Sequence, residues 1–197
     1  MMITLATGNA HKLQEFQDIL GLPVRGLRDI PGAPEPEETG STFAENAMIK
    51  AESLAAFCGG WALADDSGLE VHALQGAPGI YSARYAGRHG DDAANNALLL
   101  RNLEKVTDRS ARFVCVLALC GPSGECTVIE GECRGRIAQA PAGSDGFGYD
   151  PLFIPEGESQ TCAQLGAAWK SRHSHRAHAL SQFLAQHAAL LDKLRSA

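Results

Sequence analysis

Asp65 and Asp66 stand side by side in Ala64-Asp65-Asp66-Ser67-Gly68, after a short apolar run, Trp61-Ala62-Leu63, and before an alternating one, Leu69 to Leu74. The first run reads as a buried strand and the second as another strand, with Ser67 and Gly68 turning the chain between them. Two adjacent carboxylates at a strand end are costly unless something cationic compensates them. A hard divalent ion such as Mg2+ would do so, because it takes oxygen ligands and favours one or two carboxylates plus substrate phosphates. An ordinary acidic turn is the plain alternative for this motif taken alone.

Four further polar clusters bear on the choice. Thr7-Gly8-Asn9-Ala10-His11-Lys12 joins a strand to a helix. Backbone N–H groups at a helix start suit an anion, Gly8 allows close approach and Lys12 adds a point charge. The chain has no Gly-x-x-x-x-Gly-Lys-Ser/Thr loop, so this is not a Walker motif. Glu37-Glu38-Thr39-Gly40, followed by Glu45-Asn46 and Lys50, offers a carboxylate that can reach a metal held by Asp66, although Glu45 also has capping-box spacing from Thr42. Gly143-Ser144-Asp145-Gly146-Phe147-Gly148-Tyr149-Asp150 combines a free backbone with two aromatic rings able to line a pocket for a planar base, or to tuck into the core. Lys170 with Ser174-His175-Arg176 supplies donors for a carbonyl or phosphate. His173, His175 and His178 invite a metal hypothesis, which the interleaved Arg172 and Arg176 argue against.

The elements that must position these clusters read as follows. Ile3 to Ala6 is a strand, and a helix follows with Leu13, Phe16 and Leu20 on one face. A second helix starts near Thr42, carries Phe43, Ala47, Ala51 and Leu54 inward, and ends at Gly59-Gly60. A third fits Asp92 to Val106. Arg112–Leu119 and Cys126–Glu132 read as strands joined through Gly121-Pro122-Ser123-Gly124, a hairpin signal. Leu152-Phe153-Ile154 is a short strand, and an amphipathic helix from about Ser174 uses Leu180, Phe183, Leu184, Leu191 and Leu194. Strands and helices mix without strict alternation, which predicts an α/β fold with a mixed sheet.

The 197 residues suit a single domain, or two closely packed lobes, and 45% hydrophobic residues disfavour disorder. A net charge of -6 lacks the field that attracts polyanions, so a nucleic-acid-binding role is disfavoured. No apolar run reaches a membrane span, and the N-terminus has no signal-peptide pattern, so a cytoplasmic location is expected. The six cysteines form no Cys-x-x-Cys pair and are read as mostly reduced, small hydrophobes.

Six blocks in order resemble one family: Thr7-Gly8-Asn9-x-x-Lys12, Glu37 to Ala47, Ala64 to Leu69, Gly76 to Arg84, Gly146 to Pro151, and Lys170-x-x-x-Ser174-His175-Arg176. They look like the signature blocks of the Ham1-type purine nucleotide pyrophosphatases, the ITP/XTP/dITP diphosphatases. His11 departs mildly, standing where the family often has a small residue. The resemblance implies one domain over residues 1–197, with a mixed central sheet flanked by helices and the active site in a cleft between two lobes. It implies Mg2+-dependent hydrolysis of ITP, dITP and XTP to the monophosphate plus pyrophosphate, a house-cleaning activity of nucleotide metabolism, and a homodimer. Matched residue by residue, it makes Asp66 the proton acceptor and, with Glu38, a metal ligand. Thr7, Gly8, Asn9, Ala10, His11 and Lys12 would cradle phosphates and Ser67 would contact the substrate. Phe147, Gly148, Tyr149, Asp150, Lys170, His175 and Arg176 would line the base and sugar pocket. The alternatives are a pyrophosphatase of different base preference and a non-catalytic nucleotide-binding regulator.

Overall fold

The computed structural model describes residues 3–20 and 24–188. Leu191 and Leu194, expected on the last helix, lie outside the described residues. The strands are β1 (Ile3–Leu5), β2 (Val24–Arg25), β3 (Ala62–Val71), β4 (Ser110–Cys120), β5 (Cys126–Ile137) and β6 (Phe153–Pro155). The α-helices are α1 (Ala10–Leu20), α2 (Phe43–Cys58), α3 (Asp92–Asn102), α4 (Cys162–Leu165), α5 (Ala167–His173) and α6 (His175–Gln186). One six-stranded sheet has the order β2-β1-β3-β4-β5-β6. β1 runs parallel to both β2 and β3, and β5 and β6 are antiparallel, so the sheet is mixed as expected.

Three expectations about elements are corrected. Ser67 and Gly68 do not turn the chain: β3 runs unbroken through the whole Asp-Asp-Ser-Gly motif. β4 lies beside β3 in the sheet, and pairing of the backbone in that ladder overrides the local turn preference of Ser and Gly. β5 extends to Ile137, beyond the expected Glu132, because Gly135, Arg136 and Ile137 pair with β6. α3 stops at Asn102, where the Leu103 N–H turns back onto the carbonyls of Leu99 to Arg101. Leu99 and Leu103 are fully buried.

The reading of the cysteines as reduced needs correction for one pair. Cys120 and Cys126 form a disulfide, with sulfurs 2.04 Å apart. The loop between them closes through the Gly121 N–H to the Glu125 carbonyl. Their Cα atoms stand 4.2 Å apart, close to the spacing of directly opposed residues that share no ladder hydrogen bond. Hairpin register brings the pair together, which their sequence spacing did not suggest. Cys58, Cys115, Cys133 and Cys162 are free thiols.

The chain divides into two compact units. The first comprises residues 1–66, 115–131 and 177–197; its core includes Leu5, Phe16, Leu63, Leu117, Ile129, Leu180 and Phe183. α2, in the same unit, buries the predicted stripe of Phe43, Ala47, Ala51 and Leu54. Thr42 caps it by accepting the Glu45 N–H, and left-handed Gly59 ends it. The second unit comprises residues 67–114 and 132–176, with Leu69, Val71, Leu99, Phe113, Ile137, Tyr149 and Phe153 in its core. No helix among the described residues is long and apolar enough to cross a membrane.

Candidate active site

In the first unit, strand alternation decides the fate of the two aspartates. Successive residues of β3 face opposite sides, so Asp65 and Asp66 hydrogen-bond different lysines. Lys12 Nζ, from α1, donates to Asp65 Oδ1 at 3.1 Å. Lys50 Nζ, from α2, donates to Asp66 Oδ1 and to Glu38 Oε1, each at 2.9 Å. Asp65 and Asp66 are both buried, and Asp66 Oδ2 has no hydrogen-bond partner among the described residues. Burial pushes the Asp66 carboxyl above its usual range, and Lys50 only partly opposes this. For Lys50, burial pulls downward, but the nearby Asp66, Asp65 and Glu38 carboxylates outweigh it and raise its ammonium.

The Glu38 loop is held in place by α2. Asn46 Oδ1 accepts the Gly40 N–H at 2.8 Å. Glu45 spends its carboxylate on the cap, accepting from the Ser41 N–H and hydroxyl and from the Thr42 N–H. Of the acidic residues in this segment, Glu38 therefore joins Asp66, while Glu37 is exposed.

At the start of α1, Asn9 Oδ1 accepts the N–H groups of His11 and Lys12, and the Asn9 N–H donates to Thr7 Oγ1. These N–H groups already serve a cap. The segment offers an anion the Lys12 ammonium and open backbone at Gly8, where an added Cβ would meet nothing within 4 Å. Ala10 and His11 are exposed.

The second unit gathers the other sequence motifs. Lys170 Nζ donates to Asp150 Oδ2 at 2.7 Å, and both residues are buried. The same oxygen accepts the Phe147 N–H at 2.9 Å. The Lys170 ammonium also lies over the Phe147 ring, 4.8 Å from its centroid. Arg176, 1% exposed, donates from Nη2 to Ser67 Oγ at 3.1 Å. His175 stacks on Phe113, with ring centroids 4.8 Å apart. Tyr149 is buried and its hydroxyl donates to the Ser82 carbonyl. Among the described residues, the one group of Cys, His, Asp and Glu atoms close enough to share an ion is Glu52, Cys120 and Cys126, whose thiols the disulfide consumes.

Three residues that hydrogen-bond to these motifs had no role assigned from sequence. Lys50 was legible only as a lysine one turn after Asn46. Asp92 and Asn96 read simply as helix residues. In the structure Asp92 Oδ2 accepts the Gly148 N–H at 2.7 Å, and Asn96 Nδ2 donates to the Gly148 carbonyl at 2.9 Å.

The first unit thus holds a buried carboxylate with one open oxygen against a lysine, and the second a cluster of buried cations beside an aromatic ring. The Ham1 family model matches residues 3–186, and the chain belongs to the Ham1 family. A dITP/XTP pyrophosphatase of Nocardia farcinica is 51% identical over 199 residues, covering 97% of each chain. One from an Exiguobacterium species is 50% identical over 189 residues, covering 94% of this chain and 96% of its own. The solved Ham1 protein of Staphylococcus aureus superimposes with a TM-score of 0.87 at 43% identity, covering 96% of this chain and 99% of its own.

Proposed function

We propose that this protein hydrolyses the non-canonical purine nucleoside triphosphates ITP, dITP and XTP to the monophosphate and pyrophosphate. The observation that carries the reading is Asp66: buried, raised in pKa, held by Lys50 through one oxygen and open at the other. The relatives named dITP/XTP pyrophosphatase supply the substrate class.

The residues fit a divalent cation. Asp66 Oδ2 is an orphaned buried acceptor, and Glu38 and Asp66 are hard oxygen donors converging on one point of positive charge, now Lys50. Glu38 and Asp66 would hold Mg2+, which would offset negative charge building on the phosphates. Asp66 accepts the proton of the attacking water, and its raised pKa brings it nearer the value at which a base works well in neutral solution. As the bond between the α- and β-phosphates breaks, Lys12 stands at the Thr7–Lys12 segment to neutralise the departing pyrophosphate. Phe147 provides a face for the base, with Lys170, His175 and Arg176 as donors around it. A 6-oxo purine accepts a hydrogen bond where adenine has an amino group, so a buried cation there is left unpaired by adenine. A homodimer and a cytoplasmic location are part of the same proposal.

A panel of nucleoside triphosphates, assayed for pyrophosphate release with and without Mg2+, tests this. We expect release from ITP, dITP and XTP, little from ATP, and none after chelation. Tight ITP binding without pyrophosphate release would instead make the protein a nucleotide-binding regulator. Sedimentation velocity tests the dimer.

A further inference from the structure

We infer that Asp92 and Asn96 are positioning residues that set the base-recognition loop, an inference that rests on the base-pocket role just proposed for Phe147 to Asp150. The two residues are one turn apart on α3, so they share a face of the helix. Both are spent on a single residue. Asp92 Oδ2 accepts the Gly148 N–H at 2.7 Å and Asn96 Nδ2 donates to the Gly148 carbonyl at 2.9 Å.

The loop needs such a grip. Gly148 sits at φ +62°, a region glycine leaves and re-enters at little cost, and Gly143 and Gly146 nearby also have positive φ. An ungripped Gly-rich segment would sample several main-chain paths. Asp150 pins it from one side, since its Oδ2 holds both the Phe147 N–H and the Lys170 ammonium. α3 pins the peptide groups of Gly148 from the other. Between these anchors the Phe147 ring is held over Lys170. The Asp92 contact is charge-assisted, and the carboxylate sits in the first turn of α3, where the helix dipole favours it. The anchor itself is steady: Asp91 caps α3 by accepting the Ala94 N–H, and Asn95 ties the helix to the Ala83 carbonyl and the Ala86 N–H.

The test uses the full-length enzyme and four variants: Asp92→Ala, Asp92→Asn, Asn96→Ala and Lys170→Met. KM and kcat are measured for ITP and ATP, with thermal melting and Gly148 amide exchange by NMR. We expect Asp92→Ala and Asn96→Ala each to raise KM for ITP about tenfold, with kcat within about twofold, the split expected when ground-state binding is lost. The ITP-over-ATP ratio should narrow, and Gly148 exchange should quicken in Asp92→Ala. Asp92→Asn keeps an acceptor for the same N–H and should stay near wild type. If Lys170→Met moves KM and the ratio while both alanine variants leave them unchanged, the positioning role is overturned and the base pocket stands. If Lys170→Met changes neither, the base-pocket reading itself fails. If Asp92→Ala does not fold, Asn96→Ala decides: an unaltered KM together with unaltered Gly148 exchange in that variant would refute the grip.

Discussion

Asp65 and Asp66 are chain neighbours, yet each carboxylate answers to a different lysine: Lys12 at 3.1 Å for Asp65 and Lys50 at 2.9 Å for Asp66. The pleat of β3 separates them, so substitution of each should produce a different defect. Asp66→Asn should lower kcat by roughly 10²–10⁴-fold, the usual loss for a general base. Asp65→Asn should leave kcat within about tenfold and act mainly on KM, through Lys12. Steady-state kinetics on ITP check both. An Asp66→Asn enzyme retaining more than about a tenth of wild-type turnover would remove Asp66 from the chemistry.

Lys50 is the cation that compensates Glu38 and Asp66. Lys50→Met should destabilise the fold by about 3 kcal/mol, since it strips a mostly buried carboxylate of its partner. Added Mg2+ should recover part of that loss, because an ion binding the native state alone stabilises it. Melting curves at increasing Mg2+ show this, and a Tm indifferent to Mg2+ would argue against a cation at Glu38 and Asp66.

Lys170 and Arg176, 7% and 1% exposed, should set base choice. Lys170→Met and Arg176→Leu should narrow the kcat/KM ratio of ITP over ATP by about 2–4 kcal/mol, mostly by losing ITP, because donors this buried are costly to leave unpaired. Since Lys170→Met also strands Asp150, the double variant with Asp150→Asn separates selectivity from stability. A ratio unchanged in every variant would sink the assignment.

Gly146 has φ +82°, and a Cβ there would collide with Asp150 Oδ2, the oxygen that binds Lys170. Gly146→Ala should therefore raise KM for ITP and lower stability by about 1–3 kcal/mol. Gly8→Ala, with open space around it, is the matched control for stability. Chemical denaturation of the two variants compares them.

Asp108 is held down to about 2 by hydrogen bonds from Ser110 and by His72. Its folded pKa lies below the ordinary 3.8, so its stabilising contribution is present above pH 3.8 and lost as pH falls through about 2. The Tm gap between wild type and Asp108→Asn should hold from pH 6 to 4 and close by pH 2.

The sequence by itself determined much of the architecture and most of the site's membership. Helical periodicity placed α1 and α2, the Thr42–Glu45 capping box marked where α2 starts, and six motifs in order pointed to the Ham1 family. These signals are local, carried by neighbours a turn or a few residues apart. What tertiary structure decided is which groups meet. β3 runs through a sequence that reads as a turn, because its ladder partners come from distant segments. Cys120 and Cys126 are joined because hairpin register sets them opposite each other. Lys50 looks like any helix lysine until the fold brings it within 2.9 Å of two carboxylates, one of them 16 residues away. Asp92 and Asn96 gain their role only when Gly148, more than 50 residues on, arrives between them. Propensity and spacing are properties of the chain, whereas compensation of buried charge and satisfaction of loop backbone depend on which distant atoms the packed core brings together.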